Sequence, residues 1–167
     1  MARLGVARGS AFESLVTQVF DAYEAQGLAR VRKVDPPTRV VYRGNRPMVI
    51  QLTNPFLDFI GPWTERQGRM IMIEAKSSDK PRLPFDTTGD GISVEQLANM
   101  RSWAAHGAVT GALWQHAGSV RYVTLQMIDC HAREGRRSIP WAEAFPVPKG
   151  MGFVVFDILA VLRALHP

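Results

Sequence analysis

The sequence predicts a mixed α/β fold, a central β-sheet with helices on its faces. Three observations predict it. Segments with a helical repeat of apolar residues alternate with segments at the strand period. Their order is helix, several strands, helix, strands, helix. No internal repeat, low-complexity tract or evident linker interrupts the chain, and 167 residues are few for two well-cored domains, so one domain over residues 1–167 is expected.

The first helix is expected over residues 11–26, where Phe12, Leu15, Val16, Val19, Phe20 and Tyr23 recur at helical spacing. Ser10 is its expected N-cap and Gly27 its stop. Residues 28–34 and 38–43 alternate around Pro36-Pro37, as strand, break and strand would. Residues 43–47 read as a turn and 48–52 as a short strand, ended by Thr53-Asn54-Pro55. Residues 57–63 and 69–76 form an expected hairpin around the turn at 64–68. The run 77–92 is rich in Asp, Gly and Pro and reads as a loop. A helix follows over 93–106, then strands at 109–115 and 120–125, a short helix at 126–133 and an irregular stretch at 134–150. Residues 153–156 read as a last strand, and 158–165 as a closing helix capped by Asp157.

Apolar residues make up 46% of the chain and charged residues 21%, which excludes disorder throughout. No apolar run approaches the ~18–20 residues of a membrane helix. The start, MARLGVARGSAFES, has no apolar core of a signal peptide. Cys130 is the single cysteine, so an internal disulfide and a cysteine-rich zinc site are excluded and a cytoplasmic setting is expected. Cys130 itself reads as a small buried residue, and Trp63, Trp103, Trp114 and Trp141 read as core.

The charge is unevenly spread. The net charge is +5, with 16 Arg against 4 Lys, and residues 30–46 alone hold Arg30, Arg32, Lys33, Arg39, Arg43 and Arg46 against the single acid Asp35. Arginine donates two parallel hydrogen bonds to phosphate. Such a stripe is the electrostatic footprint of a nucleic-acid binder. Arg32, Lys33, Arg43 and Arg46 of the stripe, with Arg8, are the candidate DNA contacts, and residues 39–54 the candidate projecting segment.

The chemistry lies in Met70-Ile71-Met72-Ile73-Glu74-Ala75-Lys76. Alternate residues of a strand share a face, so Glu74 and Lys76 point the same way at the end of an apolar run. The hairpin register brings Asp58 opposite Glu74 to Lys76. Two carboxylates held close raise each other's pKa, and a hard divalent cation removes that penalty. Such a cation can activate a water and neutralise charge on a phosphoryl group, with Lys76 either orienting the attacking hydroxide or stabilising the transition state. A surface ion pair at a strand end is the plainer reading of Glu74 and Lys76.

Asp58 followed by Glu74-x-Lys76 resembles the signature of the PD-(D/E)xK nucleases. Further matches run in order along the chain. Arg8-Gly9-Ser10-Ala11-Phe12-Glu13 resembles Holliday-junction resolvases generally. The segments 32–38, 57–61 (Leu57-Asp58-Phe59-Ile60-Gly61), 73–76, 83–85 and 134–139 resemble stretches of RecU-type resolvases, and Gln96 falls at the start of their "H-Q" helix. The resemblance implies a restriction-endonuclease-like fold and a magnesium-dependent homodimer, with manganese as a substitute, that nicks four-way DNA junctions in recombination and repair. It also implies metal ligation by Asp58, Glu74 and Gln96, with Lys76 as the transition-state stabiliser. Glu13 would complete the catalytic set, or else close a capping box with Ser10. Gln96 carries the same ambiguity, because Ser93-Val94-Glu95-Gln96 is also a capping box. Arg8, Arg32, Lys33, Arg43 and Arg46 would contact DNA. Phe56 stands where the family has threonine, so a hydroxyl near the metal is missing or supplied otherwise. A nuclease of other specificity and a non-catalytic DNA-binding module remain alternatives. Bacterial and phage origins fit the chain equally.

Overall fold

The computed structural model describes residues 2–52, 56–87, 91–150, 152 and 154–167, with side chains from residue 9 onward except Gln51. Six strands form the central sheet: β1 (Arg32–Lys33), β4 (Phe59–Trp63), β5 (Arg69–Ser77), β8 (Val109–His116), β9 (Ser119–Thr124) and β11 (Phe145–Pro146), in that spatial order. The sheet is mixed. β5 and β8 run parallel, and their neighbours pair antiparallel. Antiparallel strands can be joined by a turn, but the parallel pair needs a crossover, and α2 (Val94–Ala105) supplies it. The expected mixed sheet flanked by helices is what the chain forms.

Alternation along β5 decides what lies on each face. Ile71, Ile73 and Ala75 point into a core with Phe12, Val16, Val19 and Phe20 of α1 (Ala2–Ala25) and Ile158, Leu159 and Leu162 of α4 (Ile158–Leu165). Met72 points into a second core with Leu97 and Met100 of α2 and Ile128 of α3 (Leu125–Arg133). Tyr23 ties α1 to α4: its hydroxyl donates to Asp157 Oδ1 at 2.7 Å, while that oxygen also caps α4 by accepting the Ala160 amide at 3.0 Å. Gly61 is required in β4, because a Cβ there would lie 1.9 Å from the Arg30 carbonyl oxygen of the chain leading into β1. Among the described residues, no helix is long and apolar enough to cross a membrane.

Several elements differ from expectation. α1 begins at Ala2, so Ser10 lies inside the helix, and its carbonyl accepts the Ser14 hydroxyl at 2.8 Å. The Ser10–Glu13 capping box therefore does not form. Residues 2–9 hold good helix formers (Ala2, Arg3, Leu4, Ala7, Arg8) and no proline, and Gly9 has open space around it. The expected strand at 28–34 shortens to β1. The expected loop at 77–92 contains β6 (Arg82–Thr87) and β7 (Ile92–Ser93), which form a second sheet with β10 (Ser138–Pro140). Leu83 and Phe85 are buried there at strand alternation, a period hidden by Pro81 and Pro84. β10 and β11 lie in the stretch expected to be irregular. The break at 53–55 and Phe153 fall outside the described residues; Phe156 makes one isolated bridge to Lys149. Trp63 and Trp114 are buried, whereas Trp103 and Trp141 are partly so. Cys130 is exposed, because it sits on the outer face of α3.

β2 (Thr38–Arg43) and β3 (Arg46–Gln51) pair only with each other, as a ribbon turned at Gly44-Asn45, with Gly44 at φ 63°. The Leu52 amide closes its base on the Pro37 carbonyl at 2.8 Å. Val40, Tyr42 and Val49 are 53%, 73% and 68% exposed, so the ribbon stands clear of both cores.

Candidate active site

Asp58 stands just before β4, and the β4–β5 register pairs Phe59 with Ile73. That register sets Asp58 opposite Glu74, as the sequence predicts. Asp58 is half-buried, and its Oδ2 accepts the Ala75 amide at 2.9 Å. Its position is therefore fixed by the backbone of the strand that carries Glu74 and Lys76.

Glu74 is only 2% exposed and lies on the face shared with Met72 and α2. Its Oε1 receives two donors, Lys76 Nζ at 2.8 Å and Gln96 Nε2 at 2.5 Å. Its Oε2 is buried with no partner. A buried carboxylate oxygen without a donor is costly, and proteins retain such groups where something else fills the position. Burial pushes the Glu74 pKa up to about 8, the nearby Asp58 carboxylate adds to the rise, and Lys76 opposes both. Without a cation, Glu74 thus holds a proton near neutral pH, and a divalent ion would take that proton's place.

The donor set fits a hard divalent cation. Asp58 and Glu74 offer carboxylate oxygens, and Mg²⁺ is commonly held by one or two carboxylates with water and phosphate oxygens completing its shell. Among the described residues, no three His, Cys, Asp or Glu side chains are grouped to hold a metal by themselves. Glu13 meets a lysine of β1. It pairs with Lys33 at 3.1 Å, the main cause of that lysine's raised pKa.

Gln96 reaches the site through the start of α2. The Ser93 hydroxyl accepts the Gln96 amide at 3.1 Å, and Gln96 Oε1 accepts the Ser93 amide at 2.9 Å, so the expected capping box is formed. The same side chain then meets Glu74 through its nitrogen. The sequence reading missed that meeting, although the capping box already assigned the oxygen and left only the NH₂ free. Phe56, where the resolvases that the sequence resembles have threonine, packs against Trp103 with ring centroids 6.1 Å apart.

The basic stripe divides in two. Arg32 pairs with Asp21 at 2.5 Å and with Glu24, Arg30 with Glu24 at 3.1 Å, and Lys33 also reaches Asp35 at 3.4 Å. The acids of α1 neutralise this end, where sequence reasoning counted Arg32 and Lys33 as uncompensated charge. Among the described residues, no acid is paired with Arg39, Arg43 or Arg46 on the ribbon. The side chain of Arg8 lies outside the described part of the structure.

No family model matches the sequence, and no curated protein matches it. Among solved structures, the chain is similar to Hjc, a Holliday junction resolvase from the archaeal hyperthermophile Archaeoglobus fulgidus, at 16% identity and a TM-score of 0.44, covering 72% of this chain and 75% of that one.

Proposed function

We propose that the chain is a metal-dependent endonuclease that acts as a homodimer on branched DNA, with the four-way junction as its substrate. The observation that carries this reading is the meeting of Asp58, Glu74 and Lys76 at one end of β5, with a buried Glu74 oxygen left without a partner.

Asp58 and Glu74 would hold a divalent cation, Mg²⁺ or Mn²⁺. When bound, the ion supplies a Lewis acid that neutralises phosphoryl charge and generates a nucleophile from water. The protein's own part is positional and electrostatic. The Ala75 amide holds Asp58, and burial between sheet and helix strengthens every charge interaction at Glu74. Lys76, held against Glu74 in the ground state, places an ammonium where negative charge grows as the phosphodiester is attacked. The ribbon arginines Arg39, Arg43 and Arg46 supply phosphate contacts away from the chemistry.

The homodimer follows from the substrate. Resolution needs two cuts related by symmetry, and each chain offers one Asp58–Glu74–Lys76 set. A two-fold pair of chains matches a two-fold junction. Acting on DNA, the enzyme would work in the cytoplasm, of a bacterium or of a phage-infected cell.

The test compares a four-way junction, a Y-fork and linear duplex, each with Mg²⁺ and with chelator. Magnesium-dependent paired nicks confined to the junction are expected. Equal cutting of linear duplex would leave a nuclease of other specificity, and binding without cutting would leave a non-catalytic module.

A further inference from the structure

Both ends of the Gln96 amide are engaged. Its oxygen accepts the Ser93 amide at 2.9 Å, and its nitrogen donates to Glu74 Oε1 at 2.5 Å. Turning the amide over would set NH₂ against the Ser93 N–H and oxygen against a carboxylate. At the Ser93 amide donor would face donor whatever the protonation of Glu74, so the network admits one orientation. Lys76 reaches the same Glu74 oxygen at 2.8 Å. Two donors on Oε1 fix the carboxylate plane and leave Oε2 as the oxygen with no partner.

We infer that Gln96 is a positioning residue for Glu74 and not an oxygen ligand of the metal: its amide nitrogen grips one carboxylate oxygen so that the other is left for the cation. This rests on the nuclease reading, and it departs from the ligand role that the family resemblance implies. The capping box is the anchor. By holding the Gln96 oxygen, it turns a helix-start motif into a fixed donor aimed at the strand beneath. Glu74, buried at a strand end, would otherwise be free to rotate its carboxylate about the terminal bond, a torsion with a broad energy well.

Two measurements on the full chain test the inference. The first is Mg²⁺ affinity by calorimetry, beside cleavage of a four-way junction, for wild type, Gln96→His, Gln96→Met and Gln96→Glu. Histidine keeps an N–H donor and is a poor ligand for Mg²⁺, methionine keeps neither function, and glutamate offers oxygen without the donor. The expected order is wild type, then Gln96→His within about threefold, then Gln96→Met weaker by roughly 10- to 100-fold, the range for partners that orient a metal ligand. Gln96→Glu matching or exceeding wild type, with Gln96→His no better than Gln96→Met, would overturn the inference.

The second measurement needs no folded variant. In ¹⁵N-labelled wild type, one Gln96 side-chain amide proton should lie far downfield because of its short bond to Glu74. It should stay there on saturation with Mg²⁺. Its disappearance on adding Mg²⁺ would show the amide turning to present oxygen, and the positioning role would be wrong. If wild type neither binds Mg²⁺ nor cuts DNA, the nuclease reading fails and this inference goes with it. If wild type binds and cuts but the proton signal disappears, only the role of Gln96 fails.

Discussion

Asp58 and Ala75 are joined across the hairpin: the Ala75 amide donates to Asp58 Oδ2 at 2.9 Å, one residue from Glu74 and one from Lys76. The strand that presents two of the three candidate catalytic groups thus also holds the third. Substituting Asp58 or Glu74 by Ala should lower junction cleavage by on the order of 10³-fold or more. DNA binding should be kept, because phosphate contacts come from elsewhere. Single-turnover cleavage and gel-shift binding on one protein preparation check both halves. Cleavage by Glu74→Ala within tenfold of wild type would show that the site is misplaced.

The second prediction concerns pH in the absence of metal. Glu74 has a folded-state pKa of about 8 against an ordinary value of 4.5. Between those values the folded chain holds a proton that the unfolded chain has released. The contribution of Glu74 is therefore present below pH 4.5 and lost as pH rises to 8. Melting in chelator should show wild type falling relative to Glu74→Gln across this window, by on the order of 5 °C or more. Added Mg²⁺ should raise the wild-type melting temperature most at the upper end. Parallel pH profiles for the two proteins would refute the shift.

The third prediction separates the halves of the basic stripe. Replacing Arg43 and Arg46 by Ala should weaken binding to every DNA shape and lower the salt slope by roughly one for each phosphate no longer neutralised. Arg32→Ala should change the slope little, because that guanidinium already answers Asp21 and Glu24. Its effect on stability should stay within about 1 kcal/mol, as for other exposed pairs. A larger slope change for Arg32→Ala than for the ribbon variants would reverse the assignment.

The fourth prediction is the dimer. Sedimentation at micromolar concentration should give about twice 18.6 kDa. Mixing wild type with Lys76→Ala should give heterodimers that nick one strand and resolve poorly. A monomer that still makes paired cuts would remove the symmetry argument.

The fifth prediction concerns the fold alone. Asp157→Ala removes the cap of α4 and strands the buried Tyr23 hydroxyl, and should cost about 2–3 kcal/mol. Adding Tyr23→Phe should recover part of that stability by removing the stranded hydroxyl donor, and only part, because the Leu159 amide loses the acceptor it meets at 3.4 Å. A double-mutant cycle by urea unfolding reads the coupling directly.

The sequence was most legible where period and chemistry agreed. The hairpin register followed from the turn and set Asp58 against Glu74, and the Ser93 capping box marked the start of α2. Reading failed where pairing is remote. β10 and β11 are three and two residues long and exist only because β6 and β9 lie beside them in space. Ser10 carried a sound start signal, but the helix formers before it let α1 run through. Arg32 and Lys33 looked uncompensated because their acids, Asp21, Glu24 and Glu13, stand a helix away along the chain. Gln96 was found as a residue but not as a geometry: its spacing gave the cap, and only the folded chain shows what its nitrogen meets.

Among the described side chains of the ribbon, Thr38 to Ile50, none is buried in either core, while Asp58, Glu74 and Lys76 are held by the central hairpin and by Gln96 of α2. On the proposed reading, substrate choice and bond cleavage would therefore be written in separable parts of the chain. A lineage could rewrite the ribbon without unfolding the chain or disturbing Asp58, Glu74 and Lys76. An engineer could do the same, grafting a different finger between Pro37 and Leu52 to redirect one cutting centre to another DNA shape.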